Sequence, residues 1–349
     1  MYPGKMIICY LRAMLNIDPD NYVSAKIFKQ DIKEIFLGTW QLLCPVSRLA
    51  KRGDYYAAEI SGQKVFAIQT SGGIRAFKNV CRHRGARLLP EGCGRSSTIR
   101  CPYHQWVWGE NGELLNVPWW GNDPSFDGKK LSLDKISYEI WRGLLFVSIE
   151  PSTTLSEQLA GVVLELEGED IDSYHWVCEE KLTFDSNWKI YTDNFVEGYH
   201  IPGIHPSFYN AIEFDKFETL ALDGYVRMTA PPRKGLFYRG KWLWMWPNWT
   251  LSLFEGGMNT SRINPINHKT TELIYNFFFA DSSKFNKNAR DKIIKENLDV
   301  IREDFEVCIE THKNYESGGY RAGPLSPRHE QGVAYFQKRL IDSRVKSEI

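Results

Sequence analysis

Cys81, His83, Cys101 and His104 form a Cys-x-His…Cys-x-x-His pattern carried by two short segments. Two thiolates and two neutral imidazoles are the ligand set of a 2Fe-2S cluster in which histidines serve one of the irons, and replacing two anionic ligands raises the reduction potential. The same four residue types also suit a tetrahedral zinc site. Ligand order favours the cluster: zinc fingers group two cysteines and then two histidines, whereas here each segment supplies one of each, so that two loops can clamp an iron-sulfur rhomb from opposite sides. Such a centre handles single electrons.

A second constellation lies in Glu197-Gly198-Tyr199-His200-Ile201-Pro202-Gly203-Ile204-His205-Pro206. Glu197 and His200 are three apart and on a helix would share one face. Pro202 and Gly203 are expected to break that helix, so that His200 and His205 approach one metal from adjacent corners. Two histidines and one carboxylate on one face of an iron leave positions open for dioxygen and substrate. The carboxylate is expected from a remote helix over 286 to 312, whose apolar face runs through Ile294, Leu298, Ile301, Phe305 and Cys308. Among Glu303, Asp304, Glu306 and Glu310, Asp304 lies one turn from both Ile301 and Cys308, and an inward charge is expensive unless paired or bound to a metal. Asp304 is therefore the third expected ligand. His175, His268, His312 and His329 lack such company and read as ordinary imidazoles.

The elements that must carry these residues are legible in outline. A chain of 349 residues can bury two moderate cores. Residues 18 to 38 have helical spacing that stops at Gly38. From Trp40 the period shortens: Tyr55 to Ile60, Lys64 to Ile68 and Ile74 to Phe77 are short runs bounded by Gly53, Gly62 and Gly72-Gly73, the pattern of antiparallel strands with tight turns. The four cluster residues then fall in loops of a small β-domain that closes with a strand pair between Tyr138 and Ile149, and Pro151 marks a boundary. Beyond it helical and strand patterns mix, which makes the whole an α+β protein. The expected divisions are 1–38, an N-terminal helical segment packing on the catalytic part; 39–150, the cluster domain; and 151–349, the catalytic domain.

Lys and Arg number 43, as do Asp and Glu, so no net charge points to nucleic acid. Beyond Cys81 and Cys101, the cysteines at 9, 44, 93, 178 and 308 have no paired spacing and read as free thiols of a reducing compartment. The apolar run from Met6 to Leu11 is too short to span a membrane. A cytoplasmic protein is expected.

Read together, these motifs resemble the catalytic α subunits of Rieske non-heme iron oxygenases, the family of aromatic-ring-hydroxylating dioxygenases and choline and carnitine monooxygenases. The resemblance runs from Trp40 to about Glu150, then through Asn187-Trp188-Lys189 to Pro206 and Arg302-Glu303-Asp304-Phe305. It implies a catalytic domain built on an antiparallel sheet flanked by helices, a Rieske 2Fe-2S cluster, a mononuclear Fe(II), and dioxygen as co-substrate. It also implies a homotrimer, or a multiple of one, in which the cluster of one subunit serves the iron of the next. Electrons would come from NAD(P)H through a flavin reductase, a ferredoxin or both; the chain has no Gly-x-Gly-x-x-Gly fingerprint, so the nicotinamide belongs to the partner. The resemblance gives Glu197 the bridge between the two centres, hydrogen-bonded to a histidine of each, in preference to the role of a fourth iron ligand. The family's Cys-Pro-x-His-Gly-Trp has Gln105 in place of its glycine here, and a residue with a Cβ there is expected to need a different backbone conformation.

For the substrate the sequence offers an aromatic run, Phe237, Tyr238, Trp242, Trp244, Trp246 and Trp249. On a strand Trp242, Trp244 and Trp246 project to one side, either as a pocket wall able to hold a cation or an aromatic ring or as ordinary core. A monooxygenase that hydroxylates or demethylates a small molecule, with glutamate at 197 resembling enzymes of quaternary ammonium compounds, is favoured. An aromatic-ring cis-dihydroxylating dioxygenase is the alternative, and an electron carrier without catalysis is the reading from another class.

Overall fold

The computed structural model describes residues 16–60, 62–233, 238–281 and 283–345. Cys9, the run from Met6 to Leu11 and Phe237 lie outside the described residues. The chain divides into two compact units, Leu37–Ser152, and Met1–Phe36 together with Thr153–Ile349.

The unit Leu37–Ser152 is built from short antiparallel sheets. Strands Asp54–Ile60, Gln63–Thr70 and Gly73–Lys78 pair in sequence, and Gly92–Arg95 joins the outer edge of the first. Tyr56, Val65 and Ala67 pack on one side with Leu145 and Val147, while Tyr55, Phe66 and Phe77 pack on the other with Trp106, Trp108, Cys81 and Cys101. Both faces of this hairpin stack are thus covered, which is why its residues read as nearly continuous apolar runs and not as a half-polar alternation. The second of these cores holds the two cluster loops.

In the other unit a seven-stranded sheet is antiparallel throughout, with spatial order Tyr174–Phe184, Thr270–Ala280, Gly257–Asn267, Trp249–Phe254, Tyr238–Met245, Tyr225–Thr229 and Glu218–Leu222. Six of the strands form a meander in chain order, and the earliest, Tyr174–Phe184, adds beside the last. The helix Lys287–Glu316 contributes Ile294, Leu298, Ile301, Cys308 and the buried Asp304 to the core against this sheet. It begins where Asn286 accepts a hydrogen bond from the Ala289 amide. It runs one turn past the expected end at 312, because nothing in Lys313-Asn314-Tyr315-Glu316 stops it before the Gly318 turn.

The N-terminal helix differs from expectation. It is interrupted at Ser24, which is extended and caps the segment Ala25–Asp31 by accepting from the Ile27 amide, and it continues as a π-helical turn at Ile32–Phe36. A serine hydroxyl that competes for backbone donors favours a cap over a helix interior, and apolar spacing alone does not register this. Asp31 on this segment is fully buried between Lys189 Nζ at 2.5 Å and the Arg344 guanidinium at 2.6 Å. Among the described residues no helix is long and apolar enough to cross a membrane.

Candidate functional site

The helix Trp188–Phe195 is capped by Asn187, whose side chain accepts from the Lys189 amide, and it ends at Val196. Glu197 and Gly198 follow outside any helix, so Glu197 and His200 do not share a helical face. Gly198 is required by close approach: a Cβ there would meet the Phe217 ring at 2.4 Å. His200 opens the single turn Ile201–Ile204, in which Pro202 occupies the first turn, where a missing N–H costs nothing. The break falls instead at His205, with φ −119 and ψ 71, immediately before Pro206 begins the helix Pro206–Ala211. The residue before a proline is disfavoured in helical geometry, and this bend turns His205 back toward His200.

The two imidazoles meet the long helix at Asp304. Ligand atoms of His200, His205 and Asp304 all lie within 4.8 Å of one another. Asp304 Oδ1 is 2.9 Å from His205 Nε2 and 3.7 Å from His200 Nε2. Each histidine is held from behind: His200 Nδ1 is 2.5 Å from Glu197 Oε1, and His205 Nδ1 is 2.7 Å from Glu303 Oε2. With the Nδ1 sides held by carboxylates, both Nε2 atoms face the buried Asp304 carboxylate. Acceptors converging on one point are unfavourable unless a cation joins them, and the donor set suits non-heme iron. The local surplus of negative charge also acts on His205: burial works to lower its pKa, yet Asp304 and Glu303 outweigh burial and hold it above the ordinary value. Glu303 had no signal in the sequence beyond its place beside Asp304.

A cavity of about 100 Å³ opens onto these residues. Phe208, Phe217 and Trp242 form one wall, with Trp242 edge-on to Phe208 at 5.3 Å. Tyr191 and Tyr275 form another, their hydroxyls 3.2 Å apart and burial raising both pKa values, so both remain protonated. Of the three tryptophans expected in a pocket, only Trp242 is there. Trp244 is fully buried against Phe336, and Trp246 lies just past the strand end, beside Phe336 and under the Arg339 guanidinium. All three do leave one side of the strand, but the strand runs from the cavity toward the C-terminal helix Gln331–Val345, so successive rings meet different partners. Of the four histidines set aside, His312 is buried and accepts from the Asn187 amide, and His329 stacks on Tyr199.

In the other unit the two cluster loops are built alike. The Cys81 amide donates to Ala86 O and the Gly85 amide to Cys81 O; the Cys101 amide donates to Trp106 O and the Gln105 amide to Cys101 O. Both turns close on a residue with positive φ, 75 at Gly85 and 58 at Gln105. Gln105 therefore adopts the left-handed conformation that glycine favours, contrary to the expectation of a different backbone there. Cys81 and Cys101 are buried, and His83 Nδ1 and His104 Nδ1 point at each other across 3.1 Å, with Trp106 stacked on the His83 ring at 4.5 Å.

Comparison with known proteins bears on both sites. Residues 39–127 match the Rieske [2Fe-2S] domain, and residues 171–231 and 215–344 match the catalytic domain of ring-hydroxylating α subunits. The chain belongs to the Rieske non-heme iron oxygenase α subunits. As such an α subunit it carries a 2Fe-2S cluster and a mononuclear iron and uses dioxygen with electrons from a reductase; the zinc and pure-carrier alternatives fall with the two domain matches. The oxygenase is 27% identical over 343 residues to the carnitine monooxygenase oxygenase subunit of Escherichia coli, covering 91% of each chain. It is 24% identical over 330 residues to the chloroplastic choline monooxygenase of Spinacia oleracea, covering 90% of this chain and 75% of that one. The crystal structure of the quaternary ammonium Rieske monooxygenase CntA with L-carnitine superposes with a TM-score of 0.84 at 26% identity, over 95% of this chain and 96% of that one. Naphthalene 1,2-dioxygenase from Rhodococcus, at 18% identity and a TM-score of 0.78, shares the fold.

Proposed function

We propose that this oxygenase monooxygenates a small quaternary ammonium compound, with iron held by His200, His205 and Asp304 and the cluster by Cys81, His83, Cys101 and His104. Glu197 is the bridging carboxylate: it holds His200 Nδ1 at 2.5 Å, and a cluster histidine of a neighbouring subunit completes the bridge. The observation that carries the substrate reading is the cavity lining. The rings of Phe208, Phe217 and Trp242 line the space, and among the described residues no lysine or arginine does. A desolvated cation gains from ring faces, and the relatives named for choline and carnitine accord with it. Residues 39–150 serve as the cluster domain and 151–349 as the catalytic domain, with 1–38 packing on the latter. The working assembly is a homotrimer, or a multiple of one, fed by a flavin reductase with or without a ferredoxin, in the cytoplasm.

The test is oxygen uptake by the holoenzyme with a surrogate reductase, comparing quaternary amines with simple aromatics and weighing the product. Uptake with a quaternary amine and a gain of one oxygen, or loss of formaldehyde, is expected. A product from an aromatic that gains two oxygens and two hydrogens, with no response to amines, overturns the reading.

A further inference from the structure

Asn259 lies on the strand Gly257–Asn267 and is 2% exposed. It lines the cavity together with Ser252, its partner across the neighbouring strand, and Asn297 of the long helix. Asn297 Nδ2 donates to the Ile293 carbonyl at 2.8 Å, one helical turn back. That bond fixes the Asn297 amide, leaving its Oδ1 to accept from Asn259 Nδ2 at 3.1 Å. The orientation of Asn259 follows, since its nitrogen is engaged and its carbonyl Oδ1 is what remains. This oxygen is buried with no hydrogen-bond partner in the protein.

A buried acceptor left unmade costs free energy, and a ligand that donates to it recovers that cost. The cavity therefore asks for an O–H or N–H on its occupant.

We propose that Asn259 is a specificity-determining residue that accepts a hydrogen bond from a hydroxyl of the substrate, so that the substrate class is a hydroxyl-bearing quaternary ammonium compound. This rests on the reading of the site as that of a quaternary ammonium monooxygenase. Asn297 is a positioning residue that engages the Asn259 amide nitrogen and leaves its oxygen as the group without a protein partner.

Binding separates this from the chemistry. Anaerobic calorimetry of the holoenzyme is run with choline and with ethyltrimethylammonium, which lacks only the hydroxyl oxygen. Choline is expected to bind roughly 10- to 100-fold more tightly than ethyltrimethylammonium, the range for one buried hydrogen bond. In Asn259→Leu the choline to ethyltrimethylammonium ratio should fall toward one, and in Asn297→Leu part of the way. Equal affinities in the wild-type enzyme overturn the proposal and leave a quaternary ammonium oxygenase standing. The wild-type comparison decides even if a variant does not fold. Should no quaternary amine bind or drive oxygen uptake, the functional reading falls and takes this inference with it.

Discussion

At the scale of single residues, the chemistry is arranged by carboxylates placed behind imidazoles. Glu197 and Glu303 fix the Nδ1 side of His200 and His205, and this aims both Nε2 atoms at Asp304. Glu197→Gln keeps the shape but weakens the acceptor. Turnover is expected to fall ~10- to 100-fold with both metals still bound, checked by iron content, cluster absorbance and oxygen uptake; normal turnover would remove Glu197 from the electron path. Gln105 carries strain, as Trp119 and Arg142 do, since a side chain in the left-handed region costs of the order of 1 kcal/mol. Gln105→Gly should raise stability by about 1 kcal/mol in denaturant unfolding, with the cluster retained. An unchanged or lower midpoint would mean that the Gln105 Nε2 bond to the Pro102 carbonyl, at 3.3 Å, offsets the strain.

Among the elements, the long helix Lys287–Glu316 does two tasks, presenting Asp304 to the cavity and His312 to the start of the helix Trp188–Phe195. His312 Nδ1 accepts from the Asn187 amide at 3.2 Å, a bond that only the neutral ring can make, and burial pushes its pKa below the ordinary 6.5. An unfolded chain then binds more protons than the folded one in this region, so stability rises with pH. The contribution is complete above the ordinary histidine value and is lost as pH falls through the lowered one. His312→Gln, which keeps an acceptor but does not titrate, should flatten the fall in Tm from pH 7 to about pH 5; parallel profiles for the two proteins would show that His312 does not link the helices in this way.

At the scale of the whole molecule, one compact unit carries the Rieske match and the other the catalytic match. If electrons pass from the cluster of one subunit to the iron of another, two dead chains should complement. Cys101→Ala, lacking the cluster, and Asp304→Ala, lacking the mononuclear iron, are each expected to be inactive alone. Refolded or co-expressed together they should regain a measurable fraction of wild-type oxygen uptake, because a mixed assembly places an intact cluster beside an intact iron. Activity that stays at background in demonstrably mixed oligomers would confine transfer to a single chain.

Much of both sites was legible in the residues themselves. The Cys-x-His and Cys-x-x-His pair, the His200 and His205 spacing and the inward Asp304 are short-range patterns that ligand chemistry and helix periodicity constrain directly. What stayed hidden was decided by contacts between segments distant in sequence. Glu197 and His200 pair through a turn and not along a helix, because the helix ends at Val196 and Phe217 packs over Gly198. Trp244 and Trp246 share the strand face of Trp242 yet face Phe336, since alternation sets the side of a residue but not what lies opposite it. Gln105 keeps the backbone of a glycine because the Cys101 turn around it is closed by hydrogen bonds that outweigh its local preference. Asn259 emerged only from tertiary structure, since the direction of its carbonyl is set by Asn297 on another element. The sequence by itself determined which metals and which chemistry this chain supports, because ligands are named by their side chains. Only the tertiary structure decided the shape and polarity of the cavity, because these depend on which faces of remote elements meet.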